Sequence, residues 1–183
     1  MTHFFGYGSL VNVATHNYPN TRRATVQGWQ RHWVPSNRRD VAFLSVRPAS
    51  DSAISGLIAD VAPLSWGDLD QREQAYTRRH LTAQEYPQSG TQRIQIYQAN
   101  PDFIAPHAAE KHVLLSYLDC VVQGFLREFG EEGVNDFFKT TTGWEVKIRD
   151  DRHNPIYPRA QILSSAETSL TDAYIKKLSI EVV

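Results

Sequence analysis

The apolar positions of this chain fall into two regimes. Through about residue 100 they come in short runs and alternations; beyond it they recur every three or four residues. His3–Tyr7 reads as a first strand, carried by Phe4-Phe5. Ala24–Pro35 reads as a second, with Val26, Trp29, Trp33 and Val34 as its large apolar members. Trp29 and Trp33 share a face of that strand, a core-packing pattern more than a base-stacking one. Val41–Val46 predicts a third strand, stopped by Pro48. Ile54–Val61 is almost continuously apolar, as for a strand covered on both faces. Arg93–Tyr97 alternates polar and apolar, the mark of a half-exposed strand, and His80-Leu81-Thr82 offers a short one.

Helical spacing begins near Ser65, with Asp68 three residues on as a variant capping box, and runs to about Tyr76. A long helix is predicted from about Ala108 to Phe129. Val113, Leu114, Tyr117, Leu118, Val121, Phe125, Leu126 and Phe129 form its one broad apolar face, and Gly130 ends it. A short amphipathic piece, Val134–Phe138, follows. The last helix is expected to start near Ser169 or Thr171 and to carry Tyr174, Ile175 and Leu178. Strands first and helices afterwards read as an α+β fold, a small mixed barrel with helices packed on it. At 183 residues the chain suits a single domain, with a core over 1–105 and a helical extension over 106–183.

Composition narrows the function. Apolar residues make up 41% and charged residues 21%, an ordinary globular balance. With 19 basic and 20 acidic residues, net charge is -1, so no global field favours nucleic acid as a partner. The pairs Arg22-Arg23, Arg38-Arg39 and Arg78-Arg79 read as solvated surface. Cys120 stands alone in an apolar helical pattern, so it reads as an inert hydrophobe, and neither an intramolecular disulfide nor a cysteine metal cluster is available. His107 and His112 are five apart, off the spacing that puts two ligands on one helix face, so no metal is expected. No secretory pattern opens the chain and no apolar run nears membrane-spanning length, which leads to an expectation of a cytoplasmic protein without a membrane partner.

Three stretches could carry chemistry. Phe5-Gly6-Tyr7-Gly8-Ser9-Leu10 is a glycine-punctuated loop at the end of the first strand. Such a loop lets backbone come close to another group and can aim several N–H groups at a carboxylate or oxyanion. In the first predicted helix, Leu69, Glu73 and Tyr76 sit at i, i+4 and i+7. Glu73 therefore points where apolar side chains point, and a carboxyl there is raised toward neutral pH, which suits a proton shuttle; a structurally paired glutamate fits the pattern equally well. Asp150–Arg159 is rich in polar, aromatic and proline residues and could lie over a pocket, offering Arg152 or Arg159 to a substrate carboxylate; a surface loop bearing ion pairs is the competing reading.

The glycine loop, followed some sixty residues later by Leu69-x-x-Arg72-Glu73-x-x-Tyr76, resembles the γ-glutamylcyclotransferase-like superfamily with its ChaC-type and AIG2-like branches. The similarity covers about residues 3–100. It implies that Gly6, Tyr7, Gly8, Ser9 and Leu10 form the substrate loop, that Glu73 is the catalytic carboxylate, and that Tyr76 is the aromatic that follows it. Ala75-Tyr76 stands where the family usually has Gly-Tyr. The implied activity is cyclisation of a small γ-glutamyl compound to 5-oxoproline with release of an amine, needing no cofactor or metal. A γ-glutamylamine substrate, and a non-catalytic binding protein that keeps the pocket, are the alternatives.

Overall fold

The computed structural model describes residues 2–105 and 111–183. Its strands are β1 (Thr2–Gly6), β2 (Arg22–Pro35), β3 (Ala42–Val61), β4 (Tyr76–His80), β5 (Arg93–Ala99), β6 (His112–Leu114), β7 (Thr141–Thr142) and β8 (Lys147–Arg149). The helices are α1 (Trp66–Arg72), α2 (Leu115–Thr140) and α3 (Ser165–Lys177). Six strands form one mixed sheet in the order β4-β5-β1-β3-β2-β7, and β6 pairs with β8 apart from it. Within the six-stranded sheet neighbours run antiparallel except β1 with β5 and β2 with β7; β6 and β8 are also parallel. The α+β class therefore holds. No closed barrel is seen: among the described residues the outer strands β4 and β7 are not paired with each other.

β3 joins two stretches that the sequence separates. Pro48 does not end a strand; it pairs opposite Trp29, where the register passes from Gln27↔Ala53 to Trp29↔Pro48. Gly28, at φ 75°, occupies that irregularity on β2. A proline with no N–H to give is tolerated where the ladder is already broken. As its continuous apolar pattern suggests, Ile54–Val61 is the buried centre of the sheet, with β1 on one side and β2 on the other.

α1 is shorter than its apolar spacing suggests. Ser65 makes no side-chain cap; it belongs to a preceding 3-10 turn. The helix stops at Arg72 because Tyr76 is already committed to β4, paired with Ala99 of β5. The predicted start of the long helix at Ala108 lies outside the described residues; from His112 the chain is first a strand, and the helix opens at Leu115. Gly130, at φ 71°, breaks α2 as expected, and a second helical stretch holding Val134–Phe138 continues from it. α3 begins four to six residues earlier than expected, at a capping box in which Ser164 and Glu167 exchange side-chain and backbone hydrogen bonds. The part beyond residue 105 is not purely helical, since β7 joins the main sheet. Among the described residues no helix is long and apolar enough to cross a membrane.

One core runs through both halves. Phe5, Val26, Trp29 and Ile58 share a buried cluster with Leu118, Phe125, Phe137 and Ile175. Each large apolar side chain is worth roughly 1.5–3 kcal/mol when fully buried, against a net stability of about 5–15 kcal/mol for a domain. We therefore expect truncation after Asn100 to give a molten or insoluble fragment. A 1–100 fragment that melts cooperatively by circular dichroism would contradict a shared core.

Candidate active site

The glycine loop leaves β1 and turns at once into a 3-10 turn, Ser9–Val11. Neither Gly6 nor Gly8 is in the left-handed region; what each position requires is close approach. A Cβ on Gly6 would stand 2.5 Å from that of Leu10, and one on Gly8 would stand 2.8 Å from the Tyr117 hydroxyl. The carbonyl of Tyr7 accepts a hydrogen bond from Nε of Arg31 at 2.9 Å, and the Tyr7 hydroxyl donates to the Tyr97 carbonyl at 2.6 Å. Downstream, buried Asn12 donates to the Cys120 carbonyl and to Gln123, both at 2.9 Å, and so ties the loop to α2. The loop is thus held from behind while its front faces a recess. Among the described residues the amides of Ser9 and Leu10 donate no hydrogen bond, as is usual for first-turn N–H groups.

Glu73 closes α1. Its amide donates to the Leu69 carbonyl at 2.9 Å, so the one-turn spacing of Leu69 and Glu73 survives, whereas Tyr76 arrives on β4 and not on a third turn. The correction changes the path of the chain and not the meeting. Glu73, Tyr76 and all of Gly6–Leu10 line one small recess of about 30 Å³ together with Tyr117. Ser9, Glu73, Tyr76 and Tyr117 also line a larger cavity of about 610 Å³, within the range of small-molecule sites. Glu73 stands at the junction of the two.

Burial and the neighbouring arginines pull the Glu73 carboxyl in opposite directions. Its side chain is only 14% exposed, and burial raises the carboxyl above its ordinary value; the charges of Arg72 and Arg159 and a hydrogen bond from Arg72 oppose that shift. Arg72 reaches Glu73 at 3.1 Å while also donating to the Thr15 carbonyl at 2.9 Å and to Ser9. Burial holds the hydroxyls of Tyr7, Tyr76 and Tyr117 well above the usual phenol range, so all three are neutral donors at neutral pH. Tyr76 spends its hydroxyl on the Leu44 carbonyl at 2.7 Å.

The Asp150–Arg159 loop does reach the cavity, through Tyr157, Pro158 and Arg159. Tyr157 packs edge-on against Tyr117 at 5.0 Å. The two arginines part company here. Arg159 lines the cavity, whereas Arg152 is spent on Asp119 at 2.7 and 2.9 Å and on Asp172 at 2.8 Å, away from the lining. Arg152 is held by these pairs and does not line the cavity. Buried Asp151 is an anchor: it accepts from the amide and hydroxyl of Ser116 at 2.8 and 2.6 Å and from the Ile156 amide at 2.8 Å. It thereby caps the start of α2, where a carboxylate also complements the helix dipole. Cys120 is buried and its thiol is pushed up to about 12 by burial, which fits an inert role. His107 lies outside the described residues. Among the described residues no group of three or more His, Cys, Asp or Glu side chains is placed to hold a metal ion.

Similar folds are known. A structure titled γ-glutamyl cyclotransferase matches with a TM-score of 0.55 at 11% identity, over 94% of this chain and 98% of that one. An uncharacterised protein from Homo sapiens matches with a TM-score of 0.56 at 12% identity, over 93% and 98%. YkqA from Bacillus subtilis matches with a TM-score of 0.53 at 15% identity, over 78% of this chain and 56% of that one. No curated protein sequence shows significant similarity to this one. The fold is thus that of the γ-glutamyl cyclotransferases. The chain belongs to the AIG2-like γ-glutamyl cyclotransferase family, whose family model matches residues 4–117.

Two predictions follow from the recess and the carboxyl it holds. A carboxyl raised by folding stabilises the fold fully below its unfolded value of 4.5, and that contribution is lost as pH rises through the folded value. The stability of the wild type relative to Glu73→Gln should therefore fall as pH rises above 4.5, read as urea midpoints; a flat or rising difference would mean that the Arg72 pair outweighs burial. Gly8→Val, whose side chain must displace the Tyr117 hydroxyl, should weaken substrate binding far more than it lowers the melting temperature. Normal binding by that variant would make the loop a mere structural turn.

Proposed function

We propose that this protein is a γ-glutamyl cyclotransferase acting on a small γ-glutamyl compound. The observation that carries the reading is the meeting of Glu73 with the Gly6–Leu10 loop around one recess that opens into a larger cavity. A γ-glutamyl amide contains its own nucleophile, the α-amino group. Attack of that nitrogen on the γ-carbonyl closes a five-membered lactam. Collapse of the tetrahedral intermediate breaks the bond to the leaving nitrogen and releases 5-oxoproline and an amine.

In this mechanism the ionised Glu73 takes a proton from the α-ammonium, and after attack the ring nitrogen gives up a second; the departing nitrogen takes up both, so that 5-oxoproline carries a neutral lactam N–H, the amine leaves as an ammonium and Glu73 ends ionised as it began. A pKa raised by burial suits both halves of that task near neutral pH. Arg72 restrains the rise and holds the carboxylate in place at 3.1 Å. The amides of the loop receive the γ-glutamyl head and the developing oxyanion. Curling the substrate in a confined site converts part of the barrier into binding, an effect worth several kcal/mol in well-oriented intramolecular reactions, on the order of 7–11 at most. No metal enters any step. Among the described residues Arg159 makes no ion pair, which fits a contact to the substrate's carboxylate.

Release of 5-oxoproline from a panel of γ-glutamyl amino acids, peptides and amines tests the reading. Glu73→Gln should reduce the rate at least ~100-fold with the fold retained, the scale of general acid–base catalysis. Wild-type turnover by that variant would remove Glu73 from the mechanism. Failure of every compound, with tight binding of another ligand, would instead favour a binding protein that keeps the pocket.

A further inference from the structure

The larger cavity carries more positive charge than the reaction uses. Its lining contains Arg38, Arg39, Arg72 and Arg159 but, among the described residues, only one acidic side chain, Glu73. Arg72 answers Glu73 and spends its remaining nitrogens on Thr15 and Ser9. The acidic residue nearest in sequence to Arg38 and Arg39, Asp40, is paired with Lys111 at 3.2 Å. Three guanidinium groups are left without a carboxylate among the described residues.

Two of the three are mounted on a fixed turn. The Ser36 hydroxyl accepts from the amides of Arg38 and Arg39 at 3.1 and 3.2 Å. The Asn37 amide donates to the Phe103 carbonyl at 3.1 Å, and the Arg38 guanidinium lies over the Phe103 ring at 4.2 Å. Both residues are exposed, and arginine forks at the wall of a cavity are suited to carboxylates. A γ-glutamyl head brings one carboxylate, which a single arginine can answer. Its neutral or monocarboxylate amides would leave one or two guanidinium groups without a counter-charge.

We propose that the outer cavity is an acidic leaving-group subsite: the amine released carries two or more carboxylates, as an acidic amino acid or a γ-linked chain of them does. Arg38 and Arg39 are then specificity residues. The assignment rests on the cyclotransferase reading and adds the substrate class to it.

The test uses γ-glutamyl-glutamate, γ-glutamyl-alanine and γ-glutamyl-propylamine, which share a head and differ in the carboxylates of the leaving group. The wild type should favour the first over the last by at least ~10-fold in kcat/KM, the scale on which charged hydrogen bonds discriminate. In Arg38→Gln/Arg39→Gln that ratio should collapse toward one, and in Arg38→Lys/Arg39→Lys much of it should persist, which separates charge from lost packing on Phe103. Calorimetric binding of the three intact compounds to Glu73→Gln should give the same ranking without turnover. Equal kcat/KM across the three, or a ratio untouched by the Gln pair in a protein with an unchanged melting temperature, overturns the subsite and leaves the cyclotransferase reading standing. No turnover by the wild type and no binding by Glu73→Gln overturns that reading and the subsite with it.

Discussion

Arg31 is the point on which the two halves of this chain are joined. It is fully buried in the middle of β2, with its guanidinium against the adjacent rings of Phe125 and Phe137 at 4.9 and 5.3 Å. Its nitrogens donate to the Tyr7 carbonyl in the glycine loop, the Ser55 carbonyl in β3 and the Thr140 hydroxyl at the end of α2. Burial pushes the guanidinium down to about 9, still above neutral, so it remains charged at neutral pH. A buried charge without a directly paired carboxylate is tolerated only where its donors are satisfied and aromatic faces replace part of its hydration. Loop, sheet and helix are therefore placed by one side chain. Removing it would take the donor from the Tyr7 carbonyl, and an unsatisfied buried acceptor costs about 1–3 kcal/mol.

The same division between support and chemistry recurs at the cavity. Asp151 and Arg152 bind the late loop to α2, and Tyr157 and Arg159 are thereby presented to the site. Arg72 does both jobs, since it holds the carbonyl of Thr15 and the carboxylate of Glu73 with one guanidinium. Its charge opposes the burial that raises Glu73, and the net shift is still upward.

Much of this was legible in the residues. The glycine loop, Glu73 and Tyr76 do share a recess, because a short motif needs only its local chain path to be nearly right. The path itself was less legible. Period alone could not tell that Tyr76 belongs to a strand, since the pairing with Ala99 that decides it is more than twenty residues away. The barrel was an expectation from the order of strands and helices, and whether β4 and β7 close on each other is a property of the whole sheet. Between Arg152 and Arg159 no local rule chooses; Asp119 and Asp172, distant in sequence, claim the first. Arg31 did leave a signal. It falls on the same strand face as Trp29 and Trp33 by simple alternation, and all three are buried. The Ser164–Glu167 capping box was likewise readable and marks the true start of α3.

The cavity is assembled across the boundary of the family match. Glu73, Tyr76, the glycine loop and the Arg38-Arg39 turn all lie within residues 4–117, whereas Tyr157, Pro158 and Arg159 lie beyond it. Tyr117 ends the matched region and touches both sides: its hydroxyl is where a Cβ on Gly8 would fall, and its ring packs against Tyr157. The shared core explains how a late loop can be held so accurately to an early one. Asn12 grips Gln123, Gln123 grips the Ile162 carbonyl at 3.1 Å, and the chain of hydrogen bonds fixes the segment just after Arg159 to the segment just after the glycine loop. Part of the wall beyond Glu73 is therefore set by residues outside the matched region.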